Sequence, residues 1–132
     1  MISIQEIKNI LNQNGIHYID QPVDYLQFIA STDAGNRVKF FFDTEGEFLE
    51  LSAYSYSFTI DLNGSNLLLI NDVNNIVDTQ VKMLKFSILG NGHLRIEFDV
   101  PHANISDPTI ILKFISLAAA GMDYVYKNMS NR

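Results

Sequence analysis

Residues 93–129 read HLRIEFDVPHANISDPTIILKFISLAAAGMDYVYKNM, and within them the hydrophobic period changes from two to about 3.6. In the first part Leu94, Ile96, Phe98 and Val100 alternate with His93, Arg95, Glu97 and Asp99. That is a strand with one buried and one solvated face. Pro101 ends it, and the segment to Ser106 leads into a helix over 107–129. Asp107 is expected as its N-cap and Pro108 at its first position, where a missing N–H costs nothing. Thr109, Lys113, Ser116, Ala120, Asp123 and Lys127 fall in one narrow polar stripe. The apolar arc is then about 240° wide, where one sheet face needs roughly 100°. It divides into two seams, one through Ile111, Ile115, Ala118, Met122, Val125 and Met129, the other through Ile110, Phe114, Leu117, Gly121 and Tyr124. One seam suits a sheet. The other predicts a second neighbour, either a helix of the same chain or another protomer. Gly121 after three alanines predicts a close approach there, since glycine within a helix costs about 1 kcal/mol relative to alanine.

Working back from this stretch, Gly90-Asn91-Gly92 joins the strand to a preceding one over 81–89 in the clearest hairpin of the chain. A helix over 66–77 is expected before it, capped by Ser65, with Leu69, Ile70, Val73, Ile76 and Val77 inward. Asn71, Asp72, Asn74 and Asn75 would face water. Residues 58–62 read ambiguously between strand and loop. Three strands precede them, with Leu26, Phe28 and Ala30, then Val38, Phe40 and Phe42, then Leu49, Leu51 and Ala53 on the core side. Their short, glycine-containing connections favour an antiparallel meander. Tyr18 to Pro22 reads as an irregular link. At the start, Ser3 and Glu6 have capping-box spacing, Ile4, Ile7, Ile10 and Leu11 form one face, and Gly15 is a fitting stop. The order α-β-β-β-α-β-β-α, without repeats or linkers, predicts a single two-layer α+β domain over 1–132, with a mainly antiparallel sheet and helices on one face.

The 132 residues are 47% hydrophobic and 18% charged, the profile of a folded domain, and carry a formal net charge of −6. An acidic balance argues against nucleic acid, whose binding depends on phosphate neutralisation, and against anionic membrane surfaces. The absence of cysteine excludes disulfides, thiolate metal sites and thiol chemistry. The first residues lack the basic start and apolar core of a signal peptide, and no apolar run approaches the roughly 20 residues of a membrane span, so a cytoplasmic location is expected.

Chemistry finds little to rest on. Of His17, His93 and His102, only His93 has acids nearby on one strand face, and Glu97 and Asp99 lie roughly 13 to 20 Å from it, too spread for one ion. Glu45, Glu47 and Glu50 surround a turn and read as solvated acids. The glycines of 63–65 and 90–92 match no phosphate-cradling pattern, and no serine lies in a nucleophile elbow. No catalytic residue, metal ligand or cofactor site is assigned, and no enzyme is expected. Two features exceed this background. Tyr25, Ile29, Phe41, Phe48, Tyr54 and Tyr56 share the outward register of the first meander, as a binding surface or as a face covered by a loop or helix. The second is the seam of the last helix. Ile29, Phe41, Tyr54, Tyr56, Leu117, Gly121 and Tyr124 are the candidate partner-binding residues.

The element order and the acidity, with LLINDVN at 68–74, the hairpin VKMLKFSIL–GNG–HLRIEFDVP and the apolar helix after it, resemble the YbjN-like family within the type III secretion chaperone-like fold. The chain departs from it in its frequent tyrosine and asparagine. The resemblance brings no catalytic or ligand-binding signature. It implies a homodimer that acts by binding a polypeptide client or as a regulator. The expected function is therefore non-enzymatic binding of a polypeptide through apolar surface, with a small-molecule-binding sensory module, its pocket between helices and sheet, as the alternative.

Overall fold

The computed structural model describes residues 2–20, 25–78 and 84–131. The expected link through Pro22 and the start of the strand expected from Val81 lie outside the described residues, as does the Val77 side chain. The elements are α1 (Ile4–Gln13), β1 (Ile19–Asp20), β2 (Tyr25–Ser31), β3 (Arg37–Asp43), β4 (Phe48–Ser55), α2 (Gly64–Asp78), β5 (Leu84–Ile88), β6 (Leu94–Pro101), a three-residue 3-10 turn (His102–Asn104) and α3 (Ile110–Asn128). The protein is α+β. Among the described residues six strands form one sheet in the order β1-β2-β3-β4-β6-β5, antiparallel throughout. One element differs from expectation, and one segment left open takes a definite form. A two-residue strand, β1, pairs with Leu26 and Gln27 inside the segment read as irregular. Residues 58–62 form no strand; there the Ile60 N–H donates to the Gly92 carbonyl at 2.7 Å, fixing the loop to the hairpin turn.

Strand alternation does what its period requires. Leu26, Phe28, Val38, Phe40, Phe42, Leu49, Leu51, Ala53, Leu94, Ile96, Phe98 and Val100 are all buried, in one cluster with Ile7 and Leu11 of α1 and Ile111, Phe114, Ala118, Met122 and Val125 of α3. Phe114 is the chief wedge. Its ring meets Phe40, Phe42 and Phe98 at centroid distances of 6.1, 6.2 and 6.3 Å. Such ring pairs add about 0.5–1.5 kcal/mol each beyond burial of their area. The first seam of α3 thus faces the sheet, and Phe114, assigned to the second seam, joins it.

The helix ends show which local signals suffice. Ser3 and Glu6 form the expected capping box, and Gly15 takes φ +69° after the helix. Asp107 accepts from the Thr109 N–H at 3.0 Å, but the helix begins only at Ile110 with Thr109 as its N-cap and no side-chain cap bond, so Asp107 and Pro108 form the turn before α3 and not its expected first positions. For α2 the cap is Asn63, not Ser65: its Oδ1 accepts from the Asn66 N–H at 2.9 Å. Ile70 and Val73 are buried as expected, but Ile76 is 52% exposed. The reason is where α2 lies. It packs chiefly on β5, and Asn74, expected to face water, accepts from the Phe86 N–H at 2.7 Å and donates to the Phe86 carbonyl at 2.9 Å. One side-chain amide thereby occupies both outward-pointing backbone groups of an edge-strand residue, which blunts strand addition there.

Asparagine also closes the chain on itself. Asn66, 1% exposed, donates to the carbonyls of Asp61 (2.8 Å) and Ser130 (2.9 Å) and accepts from the Ser130 N–H at 2.7 Å. Asn63 donates to the same Ser130 carbonyl at 2.7 Å, and Asn131 donates to the Thr59 carbonyl at 2.9 Å. In the C-terminal half of α3, Asp123 of the polar stripe is tied down too. It accepts from the Thr32 hydroxyl, from the Asn36 side-chain amide at 2.9 Å and from the Ala34 N–H at 3.1 Å. Desolvation pushes its carboxyl upward, but these three donors outweigh that and hold its pKa below the usual value.

Candidate functional site

Because successive strand residues point to opposite sides, burying one set leaves the other set of β2, β3, β4, β6 and β5 on the second face of the sheet. The register arranges that set in rows across the strands. Tyr25, Asp43, Glu50 and Asp99 stand side by side in the first row; Gln27, Phe41, Ser52, Glu97 and Lys85 in the second. Ile29, Lys39, Tyr54, Arg95 and Ser87 make the third. Ser31 and Arg37 begin a fourth, which Tyr56 joins through its N–H to the Arg37 carbonyl at 2.8 Å and His93 extends as the residue before β6. One end of the face is acidic and the other basic, with aromatic rings between.

The aromatic centre is continuous. Tyr25 stacks on Phe41 at 5.8 Å, and Phe41 meets Tyr54 edge to face at 5.4 Å. A cation lies over each of three rings: Lys39 over Phe41 at 5.2 Å, Arg37 over Tyr56 at 5.4 Å and Arg95 over Tyr54 at 5.9 Å. Arg95 also pairs with Glu97 at 2.9 Å. His93 donates from Nδ1 to the Ser55 carbonyl at 2.6 Å, which fixes its ring at the basic end. Tyr25, Lys39, Phe41, Tyr54, Tyr56, His93 and Arg95 line a broad, open depression of about 600 Å³, which Asp43 and Glu50 extend toward the acidic end.

Electrostatics on the acidic row run against stability. Desolvation first, then the neighbouring Asp99 and Asp43, raise the pKa of Glu50; desolvation and then Glu97 raise that of Asp99. A carboxyl whose folded pKa lies above its unfolded value opposes folding once ionised. Its cost is absent below the unfolded pKa and complete above the folded one. Glu50→Gln is therefore expected to stabilise the protein near pH 7 by roughly 0.3 kcal/mol, after discounting an exposed pair for solvent screening. Urea denaturation at pH 7 and at a pH below 4 checks this: the gain belongs only to the higher pH.

Of the expected partner-binding residues, Ile29, Phe41, Tyr54 and Tyr56 come together on this face, Ile29 at 37% and Tyr56 at 51% exposure. Leu117, Gly121 and Tyr124 lie elsewhere. They border an apolar groove of about 280 Å³ between α2 and α3, completed by Val73, Ile76, Leu84 and Phe86. The close neighbour of Gly121 is a ring of its own chain: a Cβ there would lie 2.5 Å from Phe86 Cζ. Sequence parity found the aromatic residues. It missed Arg37 and Arg95 over the rings, because only interstrand register brings them to Tyr56 and Tyr54; Lys39 over Phe41, two residues away on β3, was within reach of parity.

Among the described residues no group of three or more histidine, aspartate or glutamate side chains is placed to hold a metal ion, and no helix is long and apolar enough to cross a membrane. No protein-family model matches the chain, and no curated protein proved similar to it.

Proposed function

We propose that the protein is a non-enzymatic binding domain whose open sheet face takes up a polypeptide. In this reading the layers are two, with helices on one face of the sheet and the partner on the other. The observation that carries it is the aromatic centre of Tyr25, Phe41 and Tyr54 left outside the core, with cations stacked on its rings. Tyrosine and arginine dominate the energetics of protein interfaces because each combines large contact area with directional polar groups. Strand addition at the sheet edge is the weaker mode, since Asn74 occupies Phe86 on β5. The resemblance to YbjN-like and type III secretion chaperone-like proteins agrees with a cytoplasmic, dimeric client-binding or regulatory role, without nucleic acid, membrane or cofactor.

The test is a pull-down from the native host with wild type, Phe41→Glu and Tyr54→Glu. Partners captured by wild type are expected to be lost, at least tenfold, from both variants. Unchanged capture by both would sink the proposal. A second reading, binding of a small apolar molecule, draws on the α2–α3 groove, whose lining is almost wholly apolar.

A further inference from the structure

The charge layout of the open face fits one partner in particular, and this inference rests on the reading of that face as a polypeptide-binding surface. Acids occupy the first two rows (Asp43, Glu50, Asp99, then Glu97), with Lys85 beside Glu97 on the edge strand as the exception, and cations the third and fourth (Lys39 and Arg95, then Arg37). A sheet face polarised along its strands is complementary to itself when turned end for end. We propose that the partner is a second copy of this chain, packed face to face about a two-fold axis that lies in the interface, perpendicular to the strands, over Phe41 and Tyr54.

The symmetry follows from the rows. A two-fold axis parallel to the strands would lay acids on acids and cations on cations. The perpendicular axis exchanges the first row with the fourth and the second with the third while keeping each strand over its own counterpart. Asp43 of one protomer then faces Arg37 of the other, Glu97 faces Arg95, and the Phe41 ring faces the Lys39 side chain. Face-to-face sheets cross at about 30°, which displaces the outer rows by about one strand. Because Asp43, Glu50 and Asp99 span three adjacent strands, such a displacement still sets acids against cations. Each interaction occurs twice, as an isologous contact requires. The repulsion within the acidic row, unfavourable in one chain, is relieved by the partner's cations. With rows about 7 Å apart and strands about 4.8 Å apart, the face measures about 20 Å each way, so a pair buries on the order of 800 Å² in total, below the range of stable interfaces and within that of weak, transient ones. That size suits a reversible pair.

Asp43 and Arg37 lie about 20 Å apart on one strand, too far to interact within a chain, so a charge swap breaks no pair between them; within the monomer it removes only the Arg37–Tyr56 ring contact and the Glu45 N–H bond to Asp43. Sedimentation equilibrium of the full chain from low to high micromolar concentration is expected to show a monomer–dimer equilibrium for wild type. Arg37→Glu and Asp43→Arg alone should each weaken it at least tenfold, because each homodimer then holds two like-charge pairs. Mixing the two variants should restore dimers, since the heterodimer keeps one native pair and gains one reversed pair; circular dichroism confirms that both are folded. A wild type monomeric throughout, variants that dimerise like wild type, or a mixture that stays monomeric would each overturn the second copy as partner. The pull-down with Phe41→Glu and Tyr54→Glu is read independently. Loss of a different protein there, with wild type monomeric, would leave the face a binding surface and remove only the dimer.

Discussion

Asn66→Ala is expected to destabilise the protein by about 3 kcal/mol, among the largest effects of any polar substitution in the chain. The side chain is 1% exposed and holds three backbone groups, the Asp61 and Ser130 carbonyls and the Ser130 N–H. Alanine removes those partners without admitting water freely, so the groups left behind bear a desolvation cost on top of the lost bonds. A loss of this size lowers the melting temperature of a domain of this length by roughly 10 °C. Asn63→Ala, which removes the α2 cap and one bond to Ser130, should cost less, about 1–2 kcal/mol. Urea titrations of both variants check the order. An Asn66 loss no larger than that of Asn63 would mean the chain end is not fixed as described.

The second large effect belongs to Gly121. On an open helix face glycine to alanine would stabilise by about 1 kcal/mol. Here the added Cβ would lie 2.5 and 2.6 Å from ring carbons of Phe86, itself buried at 4% exposure and packed against the core. The ring must move, and overpacking of this kind costs about 1–3 kcal/mol. Gly121→Ala is expected to destabilise by about 1 kcal/mol and Gly121→Val by about 3 kcal/mol, the second also through its branched Cβ in a helix. The source of the cost is checked by combining Gly121→Ala with Phe86→Leu. A shorter side chain makes room for the new methyl, so the pair should be less destabilised than the sum of its members by at least about 0.5 kcal/mol. Strict additivity would assign the cost elsewhere.

Features whose cause lies within one turn or one strand were legible in the sequence. The capping box of Ser3 and Glu6, the stop at Gly15 and the alternation of β2, β3, β4 and β6 each depend on neighbours a few residues away. Features whose partner is distant in sequence were not. Asn74 looks like an exposed helix residue until β5 places Phe86 beside it, and Asp123 looks like part of a solvent stripe until the β2–β3 turn brings Thr32, Ala34 and Asn36 to it. Ile76 followed the helical period but not the tilt of α2 toward the sheet edge, so it stands exposed. The aromatic face was half legible: parity gives the side on which Phe41 and Tyr54 stand, whereas the acidic and basic rows are complete only once β3 pairs with β4 and β4 with β6. Gly121 signalled a close approach correctly in kind, and its neighbour is a ring, not a backbone.

The central claim is that the open sheet face, and not the groove between α2 and α3, is the partner surface. Its most direct test is a dilution series followed by NMR, with ring signals assigned for Phe41, Tyr54 and Tyr124. Concentration-dependent shifts are expected for Phe41 and Tyr54, with Tyr124 unchanged. Shifts confined to Tyr124, with the sheet-face rings unaffected, would contradict the account and move the interface to the groove.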